Sequence, residues 1–153
     1  MKILKNLALA FLVSFTVLLV ACGGGGGDDD PQTAKEILIE DLQGTWTLDA
    51  GASLLANLDI NTDGISATFT ETGFTLSGAI TTYVENGTYT ISDAGAISSV
   101  DVTIKPTDLA LDGTADVTVN STNDVITVEF STKLADGRIE GLGDFKLVFN
   151  KAS

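Results

Sequence analysis

Between Thr45 and Asn150 apolar side chains recur at every second position, and this period constrains the chain more than any other feature. Trp46 and Leu48 alternate with Thr45, Thr47 and Asp49; Ala67 and Phe69 with Thr68 and Thr70; Phe74 and Leu76 with Thr75 and Ser77. Tyr89 and Ile91 follow, then Val100, Val102 and Ile104, then Ala115, Val117 and Val119. Ile126, Val128 and Phe130 come next, and Phe145, Leu147 and Phe149 close the series. Successive residues of a strand face opposite ways, so each segment has one oily face and one Thr, Asp or Lys face. That makes eight strands.

The breaks between them carry turn chemistry. Thr72-Gly73, Asn86-Gly87, Asp93-Ala94-Gly95, Asp112-Gly113, Asn123-Asp124 and Asp136-Gly137 tolerate positive φ or bond their own backbone. Pro106 ends one strand, where a missing amide donor does least damage. Short, regularly spaced strands predict an all-β fold, a single antiparallel eight-stranded meander barrel spanning residues 34–153. Ala34 to Leu42 (AKEILIEDL) predicts two helical turns ahead of it, with Ile37, Leu38 and Leu42 on one side. Ile80 to Val84 reads either as an extension of the third strand past a kink at Gly78 or as a loop over one end. Membrane-spanning strands need about 9–11 residues and aromatic girdles. These run nearer seven, with one Trp and two Tyr in the chain, so the oily face is expected to point inward.

The N-terminal segment has a different character. Lys2 and Lys5 precede an apolar run from Leu7 to Val20, which as a helix is about 21 Å long, short of a bilayer's hydrocarbon core of about 30 Å. A charged start, a short apolar stretch and a small residue before the break predict a secretory signal over residues 1–21. The break itself, Leu19-Val20-Ala21-Cys22, resembles the lipobox of bacterial lipoproteins. That resemblance implies cleavage after Ala21, a diacylglyceryl thioether on Cys22 and acylation of the new amine. An ordinary signal peptide with a chance cysteine is the plainer reading, and the five glycines after Cys22 weigh against it. Residues 22–33, lipidated Cys plus a Gly/Asp linker, have nothing to bury and are expected to be a disordered tether. An acidic cluster this close to the Cys is similar to the surface-export signals of Bacteroidetes lipoproteins. Localisation is accordingly expected in the cell envelope, lipid-anchored at the outer membrane, with periplasmic and surface-exposed orientations both open.

Gly44-Thr45-Trp46 opens the first strand after a helical lead-in. With Gly87-Thr88-Tyr89-Thr90-Ile91 and Phe145-Lys146-Leu147-Val148-Phe149, it is similar to the lipocalin-like domain of secreted bacterial lipoproteins, over residues 36–151. The resemblance implies a barrel with the Gly-x-Trp at its closed end. Larger lipocalins stack an Arg on that Trp, whereas the one arginine here, Arg138, precedes the last strand.

Composition narrows the chemistry. There is no His and one Cys, so no Ser-His-Asp triad, Cys-His dyad or intrachain disulfide can form. With 8 bases against 21 acids, a formal charge of −13 argues against a nucleic-acid partner. Loss of residues 1–21 would leave 6 bases against 21 acids, a formal −15.

Trp46, Phe69, Phe74, Tyr89, Val102, Val117, Val128, Phe130, Phe145 and Leu147 are the candidate interior residues, either plain core or the lining of a pocket for one small ligand. Asp59, Asn61, Asp63 and the carbonyl of Ile65 match the first half of a calcium loop, with Gly64 between. Position twelve is Thr70 rather than an acid, so an Asx-rich turn is the competing reading. No other cofactor is expected. Asp49, Glu71, Asp101, Asp116 and Glu129 alternate with the apolar set and read as solvated outer-face acids, which argues against an enzyme. The leading expectation is a membrane-anchored envelope protein whose barrel binds a small hydrophobic ligand or serves structurally. The alternatives are an adhesion or envelope-protein interaction module with a filled core and, last, a hydrolase using carboxylates.

Overall fold

The computed structural model describes residues 31–56, 58–136 and 141–152. Residues 1–21, expected as a secretory signal, Cys22, the expected linker as far as residue 30, and Arg138 lie outside the described residues. From Gln32 onward the chain is one compact unit.

It opens with a helix, α1 (Ala34–Leu42). Thr33, counted with the linker in the sequence, is its N-cap. The Thr33 hydroxyl accepts from Glu36 N–H at 3.2 Å and the Glu36 carboxylate accepts from Thr33 N–H at 2.8 Å, a reciprocal capping box. The Thr33 N–H and, at 3.0 Å, the Thr33 hydroxyl both donate to the Glu36 carboxylate and hold it below its ordinary pKa. Leu38 and Leu42 are buried as expected. Ile37, expected beside them, is 45% exposed, because a helix this short turns one narrow stripe inward.

The strands are β1 (Gly44–Leu48), β2 (Leu54–Leu55), β3 (Ser66–Phe69), β4 (Gly73–Ser77), β5 (Val84–Ile91), β6 (Ile97–Ile104), β7 (Leu109–Val119), β8 (Val125–Leu134) and β9 (Gly143–Lys151). Their spatial order is β6-β5-β4-β3-β1-β9-β8-β7, every neighbouring pair antiparallel. The eight expected strands are all present. Their meander curls until the last meets the first, with Trp46 opposite Lys151 and Leu48 opposite Phe149. The result is a nearly closed eight-stranded barrel. Among the described residues no ladder bond joins β6 to β7, the two ends of the sheet. The small strand β2, absent from the periodic pattern, pairs with β9 at Leu54↔Lys146 and Leu55↔Phe145.

Two local readings are corrected. Asn86-Gly87 and Asp112-Gly113, expected as turns, sit inside β5 and β7. Gly113 (φ 80°) marks a bulge: from Asp112↔Ser131 to Asp116↔Glu129, β7 advances four residues while β8 advances two. Gly87 instead makes room for a neighbour, since a Cβ there would lie 2.5 Å from the Phe74 ring. The Ile80–Val84 stretch does not extend β4. Residues Ala79–Thr82 form a 3-10 turn, with Ile80 fully buried, before Val84 enters β5.

Inward side chains from every long strand join one hydrophobic cluster with Leu38 and Leu42. Bulges and strand ends leave Val100, Ile104 and Val119 only partly buried.

Candidate functional site

Helix α1 lies over the end of the barrel where three hairpin turns converge. Lys35 pairs with Glu71 in the β3–β4 turn at 3.0 Å, and Asn123 in the β7–β8 turn donates to Asp41 at 2.6 Å. The backbone at Ala34 packs against Gly95 in the β5–β6 turn. The Lys35–Glu71 pair is exposed and contributes little. Burial of Leu38 and Leu42 does more to seat the helix.

Trp46 sits immediately inside this end, fully buried. Its indole N–H donates to the Leu42 carbonyl at 2.9 Å, satisfying one of the helix's last carbonyls. Its ring meets Phe69 edge-on at 5.9 Å, and Phe69 in turn meets Phe74 and Phe149. The Lys151 ammonium stands 5.6 Å from the Trp46 ring centroid and also donates to the Asp41 carbonyl at 2.6 Å. Lys151 therefore supplies a cation over the Trp. Nothing in the sequence pointed to it, because only the β1–β9 register brings residue 151 opposite residue 46.

Further along the barrel, Phe130 and Phe145 stack with centroids 4.7 Å apart. The remaining interior candidates, Val102, Val117, Val128, Leu147 and Tyr89, are buried in the same cluster. The Tyr89 hydroxyl donates to the Thr70 carbonyl at 2.5 Å, and burial pushes its pKa up to about 12, so it stays a donor through neutral pH. Thr132 is a buried polar residue that the alternation could have flagged, since it follows Ile126, Val128 and Phe130 on the inward register. Its hydroxyl accepts from Leu142 N–H at 3.0 Å.

The Asp59–Ile65 loop is organised as a turn. The Asn61 side-chain oxygen accepts from Asp63 N–H at 2.9 Å, and Gly64 takes φ 75°. The Ile65 carbonyl accepts from Leu48 N–H at 3.1 Å while its side chain is fully buried. Two of the four oxygens considered for calcium thus already take part in backbone structure. Among the described residues no three acidic, His or Cys side chains gather as a metal-holding group.

A cleft of about 420 Å³ lies on the outer wall, crossed by β7, β8, β9 and β2. Asp116 faces Glu129 across the β7–β8 ladder, and Lys146 reaches Glu129 at 3.6 Å. Ser131 donates to Asp144 at 2.6 Å, and Leu54 borders the cleft half-exposed. The other outer acids are similarly engaged at the surface: Asp49 accepts from Gly51 and Ala52 N–H, and Asp101 from Val102 N–H. Compared with models of protein families, with curated proteins and with solved structures, the chain matches none.

Proposed function

We propose that the protein is a lipid-anchored component of the cell envelope whose lipocalin-like barrel acts as a non-catalytic structural or protein-interaction module rather than as a carrier. One observation carries this reading. The barrel axis is occupied by the protein's own large side chains, among them Trp46, Phe69, Phe145, Phe149, Ile80 and Ile126, each with under 2% of its surface exposed. A carrier of a small molecule needs a chamber of about 300–1,000 Å³ that encloses most of the ligand. The cleft described above has that volume but opens on the outer wall and is bordered by carboxylates. The anchor rests on Leu19-Val20-Ala21-Cys22 and the glycine run that follows. Three acyl chains would hold far more firmly than the marginal, reversible attachment of one myristoyl chain.

The deciding measurement for the barrel uses its own reporter. A panel of fatty acids, terpenoids and porphyrins is expected to leave Trp46 fluorescence and the melting temperature unchanged. A saturable change in both would restore the carrier reading, because a ligand that binds only the folded state must stabilise it.

For the anchor, Cys22→Ser in the full chain is expected to abolish incorporation of radiolabelled palmitate and to leave the precursor uncleaved at Ala21. Continued labelling of that variant would refute the anchor and leave the barrel reading untouched.

A further inference from the structure

We propose that the outer-wall cleft over β7, β8, β9 and β2 binds a linear aliphatic polyamine; the inference goes beyond the interaction-module reading and does not depend on it. At about 420 Å³ the cleft has the size of a small-molecule site. Three carboxylates line it, those of Asp116, Glu129 and Asp144, against the one ammonium of Lys146, a surplus of two negative charges. Lys146 reaches Glu129, and Asp144 accepts from Ser131. Asp116 has no ion pair among the described residues, although it stands directly opposite Glu129 on the β7–β8 ladder. Like charges so placed weaken a sheet, and a cationic ligand offsets that cost.

The spread of the acids selects the kind of cation. Among the described residues no three acidic side chains gather as a metal-holding group. Asp116 and Asp144 stand two strands and two residues apart in register, on the order of 10 Å by ladder spacing. Charges that far apart suit ammonium groups joined by methylenes.

A second observation supplies a place for the methylenes. Leu54 and Ile37 are the large apolar side chains left exposed among the described residues. Leu54 is the more exposed, at 51%, and it borders this cleft opposite Lys146. The bulge at Gly113 bends β7 just before Asp116, and bulges re-aim the side chains beside them. A neutral sugar would leave the charge surplus unbalanced, and an anion would add to it.

The test titrates the full chain with spermidine at physiological salt and follows backbone amide chemical shifts. Saturable shifts confined to residues 54–55, 114–116, 129–131 and 144–146 are expected. Asp116→Asn and Asp144→Asn, both on the surface, should each raise the Kd about threefold, as expected for an exposed charge pair. Lys146→Ala should lower it by a similar factor, because it removes a competing cation. Leu54→Ser should weaken spermidine binding as well. Asp93→Asn, on the β5–β6 turn, is the control and should change nothing. Asp116→Asn also relieves the opposition to Glu129, so it should melt no lower than the parent while binding less.

Shifts spread over acids around the whole barrel, or equal weakening by Asp93→Asn and Asp116→Asn, would reduce the effect to net charge and overturn the proposal. So would a lack of saturation, or magnesium shifting the same amides at the same midpoint. An Asp116→Asn variant that melts lower as it loses binding would make Asp116 structural and overturn the assignment. Tighter binding of tetralysine to the same residues would assign the cleft to lysine side chains of a partner protein and overturn it too.

Discussion

Trp46→Ala is expected to lower the unfolding free energy by about 3–5 kcal/mol, the usual cost of deleting a large buried aromatic. The physical reasons are local. The indole is fully buried, packs edge-on against Phe69, and carries the N–H that satisfies the Leu42 carbonyl. Removing it opens a cavity between α1 and the barrel and leaves that carbonyl unpaired in a dry setting, which adds to the loss. Domains of this size are stable by only about 5–15 kcal/mol, so the variant should lose a substantial share of its stability. Trp46→Phe keeps most of the ring and loses only the donor, and should cost less than half as much. Chemical denaturation of the three proteins, followed by far-ultraviolet circular dichroism, checks this. A shift below about 1 kcal/mol for Trp46→Ala would mean that the closed end contributes little to stability.

Gly87→Ala is expected to destabilise by about 1–3 kcal/mol even though it adds one methyl group, the typical cost of overpacking. The added carbon would lie 2.5 Å from two atoms of the Phe74 ring and 2.7 Å from the Asp101 carbonyl oxygen. Phe74 is held on its other side by Phe69, at 5.6 Å between centroids, and Asp101 belongs to the backbone of β6. Neither neighbour can retreat without disturbing a strand. Gly51→Ala is the matched control, because a Cβ there meets only the Asp49 carboxylate at an ordinary 3.5 Å. That variant should stay within about 0.5 kcal/mol of the parent. Equal midpoints for the two alanine variants would disprove the close approach of Phe74 to β5.

Both substitutions touch residues whose importance was unevenly legible. Trp46 was readable as interior because it alternates with Thr45 and Thr47, and its neighbour Gly44 marked the start of β1. Gly87 was misread. Asn-Gly between apolar residues is a strong local turn signal, yet its role here is set by a ring from another strand that no local pattern reveals. Asp112-Gly113 failed for a related reason, since a bulge and a turn call on the same residue types. The two-residue strand β2 is too short to show a period at all.

Alternation alone determined that eight strands form, which residues of each face inward, and that the sheet must curl around its apolar side, because burial of that side drives the collapse whatever the partners are. Helix α1 was equally legible from its own residues. Register, by contrast, depends on which strands meet. Only the folded sheet put Lys151 over Trp46, gave the Ile65 carbonyl to Leu48, filled the barrel axis with rings, and left β6 and β7 without a shared ladder. Those contacts join residues far apart in the chain, and no short-range spacing encodes them.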